Sequence, residues 1–127
     1  MKPLVYRKSR RVRGREPVRH KLHLAKGDTV RVIRGDDRGK EGRVMHVHPK
    51  SFRVTVEGVN IIKKHQRATT PEQESAIIER PAPIAASNVM LLDPKSGTPT
   101  RTRRRRDKDG TIERIAVKSG QPIPRTR

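Results

Sequence analysis

The chain of 127 residues is poor in the residue types on which many folds and active sites depend. It has no cysteine and no tryptophan, with one phenylalanine and one tyrosine. The missing cysteine excludes disulfides and thiolate metal sites. Because hydrophobic residues make up only 30% of the chain, a large core is excluded too, although a small barrel of Val, Ile and Leu is possible.

Long apolar segments are also missing. No apolar run approaches the length of a membrane span, and no apolar segment follows the basic first residues as it would in a secretory signal. We therefore expect no membrane partner.

Acidic residues are scarce relative to basic ones. The chain has 13 Asp and Glu residues and 32 Lys and Arg residues, which gives a formal net charge of +19. Such a chain binds polyanions, and no amphipathic helix with a bulky apolar face accompanies the charge, so nucleic acid is favoured over an anionic membrane. Residues 1–23 hold nine basic residues against one acidic, and residues 101–127 hold ten against three. The pattern predicts a folded core flanked by basic arms.

The stretch that organises the chain is Lys26–Asn60. Its first half is a β-branched run, Thr29–Arg34, in which Val30 and Val32 are expected to face inward. The second strand starts at Arg43, and its irregular apolar spacing predicts a bulge near Met45-His46. A third strand places Phe52, Val54 and Val56 on one face, and Val59-Asn60-Ile61-Ile62 continues as a fourth. Glycines are expected to form the sharp turns between these strands, namely Gly35, Gly39, Gly42 and Gly58.

The second half of the chain predicts further strands. Residues 63–75 have no apolar face, which indicates an exposed extended loop or a long hairpin that reaches out of the body. Ile77-Ile78 and Asn88–Leu92 are expected to return to the body and complete its core. Asp107-Lys108-Asp109-Gly110 between two strand-length runs predicts a hairpin. Short bent strands with glycine at the corners favour an all-β fold built on a small closed barrel.

Residues Lys26–Val44 resemble a KOW motif, an RNA- and protein-binding element of SH3-like barrels. Glu57–Gln66 and later matches, among them Ser87–Leu91 and Lys118-Ser119-Gly120, are similar to the family of the bacterial large-subunit ribosomal protein numbered twenty-four. The resemblance covers roughly Leu22–Ile123. Bacterial relatives usually have a short or absent N-terminal arm, so the basic arm over 1–23 follows from the charge pattern alone. For the rest of the chain we expect the barrel over 24–62, a projecting loop over 63–76, return strands over 77–97 and a basic hairpin with a tail over 98–127.

The resemblance implies a structural protein that binds large-subunit ribosomal RNA near its 5′ end and assists early subunit assembly. It also implies a place beside the nascent-peptide tunnel exit, with neighbouring ribosomal proteins as partners. We expect no small-molecule substrate and no homo-oligomer. The expected location is the ribosome of the cytoplasm, and an organellar ribosome stays open.

Candidate RNA-binding residues come from two sources. The resemblance carries over a set in the motif and at the root of the projecting loop, namely Arg38, Lys40, Arg43, Lys63, Lys64, His65 and Gln66. Charge and position add residues in the first strand, the C-terminal hairpin and the N-terminal arm, namely Arg31, Arg34, Arg101, Arg103, Arg104, Arg105, Arg106, Arg10, Arg11 and Arg13.

Enzyme chemistry is not expected. Gly35…Gly39-Lys40 resembles a phosphate-binding loop, but the spacing is short and Glu41 stands where a Ser or Thr would ligate Mg²⁺. The histidines are scattered, so we predict no metal and no cofactor. Two alternatives to the ribosomal hypothesis are a KOW-type transcription-associated protein and a nonspecific nucleic-acid-binding protein.

Overall fold

A computed structural model describes residues 18–125, and almost all of its regular structure is β-strand. The strands are β1 Thr29–Val32, β2 Glu41–His48, β3 Arg53–Val56, β4 Ile61–Gln66, β5 Ala76–Pro81, β6 Ile84–Ala85, β7 Val89–Leu92, β8 Pro99–Thr100, β9 Thr102–Arg106, β10 Ile112–Ala116 and β11 Pro122–Ile123. A single 3₁₀ turn, Ala86–Asn88, follows β6 within these residues. The predicted all-β fold is confirmed. No helix in the described range is long and apolar enough to cross a membrane.

Six strands form one antiparallel sheet in the order β6-β3-β2-β1-β7-β8. The two edge strands of this sheet are β6 and β8, and no ladder pairs them within residues 18–125. The prediction of a closed barrel is therefore wrong, because the two edge strands have only two residues each and do not pair with each other. The result is a barrel-like sheet that stays open at this seam.

The core is a small cluster of branched aliphatic side chains between the strands of this sheet. Val30 and Val32 of β1 are buried, as their alternation predicts. The pairing of β2 with β3 shifts register between Val44 and His46, which confirms the predicted bulge. The remaining buried apolar members of the cluster are Leu24, Val44, Val54, Val56, Val59, Ala86, Val89 and Leu91.

Two residues of this region lie elsewhere than predicted. Phe52 precedes β3 in a turn with φ of +55° and is 38% exposed, so it does not line the core. Gly42 lies within β2 instead of a turn. A Cβ at Gly42 would lie 2.4 Å from the Glu57 carbonyl oxygen and 2.8 Å from Val56 Cγ1, so close strand packing explains this glycine.

The strands β4 and β5 form a separate two-stranded hairpin outside the main sheet. The hairpin interpretation of this segment is confirmed, but Lys63–Gln66 lie in β4, so the connecting loop is shorter than predicted. Ile77 and Ile78 pair with His65 and Lys64, so the prediction that they help complete the barrel is wrong.

The prediction that Val59–Ile62 form a fourth strand of the barrel is also wrong. Val59 is buried in the core, but Ile61 and Ile62 are exposed in the separate hairpin. Gly58 and Asn60 have positive φ values of +73° and +52°, and this bend turns the chain out of the main sheet before β4 begins.

A third sheet has the order β11-β10-β9 and holds the C-terminal hairpin. The turn predicted at Asp107–Gly110 is confirmed: the Gly110 N–H donates to the Asp107 carbonyl at 3.0 Å, and Gly110 has φ of +82°. Arg101 lies between β8 and β9, and the other hairpin arginines lie in β9.

Candidate nucleic-acid interface

The loop between β1 and β2 is closed by its own backbone hydrogen bonds. The Gly39 N–H donates to the Val32 carbonyl and the Val32 N–H donates to the Lys40 carbonyl, both at 2.8 Å. Gly35 and Gly39 have φ of +107° and +91°, a region that side chains with a Cβ rarely adopt. The loop is therefore a fixed platform from which Arg34 and Arg38 extend into solvent.

Asp37 fastens this loop to the corner that precedes the projecting hairpin. Its Oδ2 accepts from the Asn60 backbone N–H and its Oδ1 accepts from Lys40 Nζ, both at 2.7 Å. The bond from Lys40, followed by the bond from Asn60, holds the pKa of Asp37 below its usual value. Asp37 thus bonds a backbone group 23 residues away.

Several candidate cations are already paired with a carboxylate. Lys40 is paired with Asp37, as described above, and Arg31 Nε donates to Glu41 Oε1 at 2.7 Å. Lys63 Nζ lies 3.6 Å from Glu79 Oε1, and Arg105 lies 3.1 Å from Glu113 and 3.5 Å from Asp107. These side chains present less net charge to a polyanion than the sequence indicates.

A second group of candidates has no carboxylate within 4.0 Å among residues 18–125, and every member is exposed. This group, which we call the unpaired cations, consists of Arg34, Arg38, Arg43, Lys64, Arg101, Arg103, Arg104 and Arg106. Exposed cations without a competing carboxylate are the side chains best able to neutralise phosphates. His65 and Gln66 are exposed on β4. Arg10, Arg11 and Arg13 lie outside the described residues.

The arginines of β9 divide between two faces of the C-terminal hairpin. Arg104 and Arg106 lie opposite Arg114 and Ile112, whereas Arg103 and Arg105 lie opposite Ile115 and Glu113. Residues directly opposite in an antiparallel pair share a face. Arg104 and Arg106 therefore form a two-cation row on one face, while Arg105 on the other face is held by its acidic neighbours.

A buried ion pair that the sequence analysis missed joins this hairpin to the main sheet. Arg114 Nη1 and Nη2 donate to Asp28 Oδ2 and Oδ1 at 2.6 and 2.9 Å. Arg114 also donates to the carbonyls of His23 and Pro124, at 2.9 and 3.1 Å. Nothing in the local pattern of Ile112–Ala116 distinguishes this arginine from the exposed ones, so only the tertiary structure identifies it.

A second connection runs through Asp93, which follows β7. Its Oδ1 accepts from Ser119 Oγ at 2.7 Å and from the Lys95 backbone N–H at 2.9 Å. These bonds, the one from Ser119 first, hold the pKa of Asp93 below its usual value. Asp28 and Asp93 therefore both fasten the arginine-rich C-terminal hairpin to the body.

The open sheet, the glycine-bounded loop between its first two strands and the exposed cations around it define a KOW-motif protein. The KOW family model matches residues 26–57. The family model described as the C-terminal domain of large ribosomal subunit protein uL24 matches residues 59–123.

Curated relatives agree with these matches. The large ribosomal subunit protein uL24 of Staphylococcus saprophyticus subsp. saprophyticus is 54% identical over 102 residues, which span 80% of this chain and 96% of that protein. The proteins of the same name from Staphylococcus epidermidis and Staphylococcus haemolyticus are 53% and 52% identical over the same shares. The chain therefore belongs to the uL24 family of large ribosomal subunit proteins. This is a family of structural proteins, not enzymes.

Proposed function

We propose that this chain binds the 5′ region of large-subunit ribosomal RNA as a structural constituent of the large subunit, assists early subunit assembly and lies near the nascent-peptide tunnel exit. The observation that carries the proposal is the set of unpaired, exposed cations held on a rigid β scaffold, in a chain of the uL24 family. The named relatives are bacterial, so the ribosome in question is that of the cytoplasm.

The geometry favours recognition of RNA by shape. Arg34, Arg38 and Arg43 lie on or beside a loop closed by backbone bonds, so their spacing is set before RNA arrives. A fixed array of cations selects a folded phosphate backbone of matching shape, which is how double-stranded and structured RNA is mainly recognised. A nonspecific binder would not need this rigidity.

Binding assays with defined RNAs test the first part of the proposal. The full chain is titrated with transcripts of the 5′ and 3′ regions of large-subunit RNA and with duplex DNA of equal length, at several salt concentrations. We expect tightest binding to the 5′ transcript at moderate salt, where charge alone is screened. Equal affinity for all three would favour the nonspecific alternative, and co-purification with RNA polymerase would favour the transcription-associated one.

The projecting hairpin suits the proposed place beside the tunnel exit. The strands β4 and β5 pair over six positions outside the main sheet, and all residues of β4 are exposed. Because the chain has no cysteine, a Thr70→Cys variant carries a unique thiol between the two strands. A thiol crosslinker on this variant is expected to capture a stalled nascent chain, and Lys108→Cys in the C-terminal turn is the matched control. Equal capture at both positions would contradict this placement.

A further inference from the structure

The turn between β2 and β3 carries a residue that its backbone does not favour. Phe52 has φ of +55°, in the left-handed region where a bulky side chain is an outlier and Gly or Asn is at ease. Such a conformation persists only where the surrounding structure holds it in place. The conformation of the turn therefore does not explain why a phenylalanine stands here.

The core does not explain the ring either. Phe52 is 38% exposed and lies outside the buried cluster. The backbone carbonyl of Phe52 accepts a hydrogen bond from the Ala86 N–H at 3.1 Å, and any residue would supply that carbonyl. The only phenylalanine of the chain is thus held at the surface with neither a turn nor a core that needs it.

One aromatic group contacts this ring, and basic residues belong to the same turn and its cleft. The imidazole of His20 lies 5.4 Å from the Phe52 ring, centroid to centroid, in an edge-to-face arrangement at 77°. The His20 N–H donates to the Pro49 carbonyl at 3.0 Å, which fixes the segment beside the turn. A cleft opens at the same turn, and its lining includes the cations of Arg19 and Lys50. Arg53, the next residue in the chain, is exposed as well.

We propose that Phe52 is a stacking site for one unpaired nucleobase of the bound RNA, with His20 supporting the ring and Arg19, Lys50 and Arg53 neutralising the flanking phosphates. This inference rests on the proposed function, since it assumes an RNA partner. An aromatic face offers a base a flat apolar contact on which to stack. Neighbouring cations neutralise the phosphates on either side of that base. An acidic protein segment would use the cations but would not need the ring.

The site lies far from the loop that carries Arg38. The strand β2 runs from that loop to the turn of Phe52, and its eight residues span about 25 Å. Contacts at both ends of one strand would fix the orientation of the scaffold on folded RNA, which a single cluster of phosphate contacts does less well.

Substitution of Phe52 separates stacking from structure. Phe52→Gly and Phe52→Asn remove the ring and suit the positive φ, so the relieved strain offsets the lost contact with His20 and both variants are expected to keep a thermal stability close to that of the wild type. Affinity of the full chain for the transcribed 5′ region of large-subunit RNA is expected to fall by about 5- to 150-fold. The slope of affinity against salt should not change, because no charge is removed. Phe52→Tyr keeps a stacking face and should bind like wild type.

Met45→Ala is the matched control, because Met45, in β2, is an apolar residue as exposed as Phe52. It should leave affinity unchanged. If the wild-type chain prefers the 5′ transcript but the Gly and Asn variants bind that transcript as tightly as the wild type does, the stacking proposal is overturned and the proposed function stands. The same holds if both variants lose stability, because the ring would then be structural. If the wild-type chain shows no preference for that transcript over duplex DNA, the proposed function fails and this inference fails with it.

Discussion

Arg114 donates to both carboxylate oxygens of Asp28, a residue 86 positions earlier in the chain. The two side chains are 5% and 1% exposed. The pair fastens the arginine-rich hairpin to the sheet that carries the KOW loop. The unpaired cations near that loop and those of the hairpin therefore belong to one connected scaffold.

Asp28→Asn is expected to destabilise the fold strongly. It would leave the Arg114 guanidinium buried without its counter-charge, a change that typically costs about 3–5 kcal/mol. Chemical denaturation measures the free energy of unfolding. Glu113→Gln, which breaks the exposed pair with Arg105, is the matched control and should cost at most about 1 kcal/mol. Equal effects of the two substitutions would contradict the assignment of the buried pair as the main connection.

Gly42→Ala and Gly39→Ala should both destabilise, for different reasons. At Gly42 the new Cβ would meet the Glu57 carbonyl and Val56, and overpacking of this kind typically costs about 1–3 kcal/mol. At Gly39 there is open space, but a φ of +91° penalises any Cβ by about 1–2 kcal/mol. Gly39→Asn should recover part of the stability, because Asn tolerates the left-handed region, whereas Gly42→Asn should recover none. Recovery at both positions would show that the contact at Gly42 is not limiting.

The arginines of β9 are expected to contribute unequally to RNA binding. Arg104→Gln and Arg106→Gln each remove an unpaired cation, so each should weaken binding and lower the salt slope by about one. Arg105→Gln removes the same formal charge, but that side chain is engaged by Glu113 and Asp107, so its effect on the slope should be smaller. Three equal slopes in a filter-binding series would mean that the ion pairs open when RNA binds.

Stability is expected to fall on the acid side of neutrality because of His23. Partial desolvation, and then the charge of Arg114, hold the pKa of His23 below its usual 6.5, against a smaller opposing effect of Asp28. The folded state therefore binds fewer protons than the unfolded state, so the contribution is complete above pH 6.5 and is lost as pH falls through the lowered folded value. Melting temperatures should decline over this range, and His23→Gln should flatten the decline. The lowered pKa values of Asp37 and Asp93 predict a separate loss at more acidic pH, below about 3.8.

The sequence was informative where residues interact locally. The alternation in Thr29–Val32, the irregular spacing in β2 and the Asp-Gly turn near Gly110 each predicted the structure, because strand faces and turns follow from neighbouring residues. The resemblance of Lys26–Val44 to a KOW motif, narrowed by that of Glu57–Gln66, supplied the family.

The sequence was uninformative where distant residues meet. The positive φ of Asn60 directs Ile61 out of the sheet, and no local pattern shows that Asp37 bonds the Asn60 backbone. No local pattern shows either that Arg114 is buried while Arg105 is exposed and paired. The set of unpaired cations became visible only once the carboxylate positions were known.

Gradient sedimentation tests the central claim most directly. Cells that express a tagged copy of the chain are lysed, and the ribosomes are washed at high salt before separation. Because salt screens contacts that rest on charge alone, a chain built into folded ribosomal RNA should stay with the large subunit. Release to the top of the gradient, or migration with RNA polymerase, would contradict the proposal that this protein is a structural constituent of the large subunit.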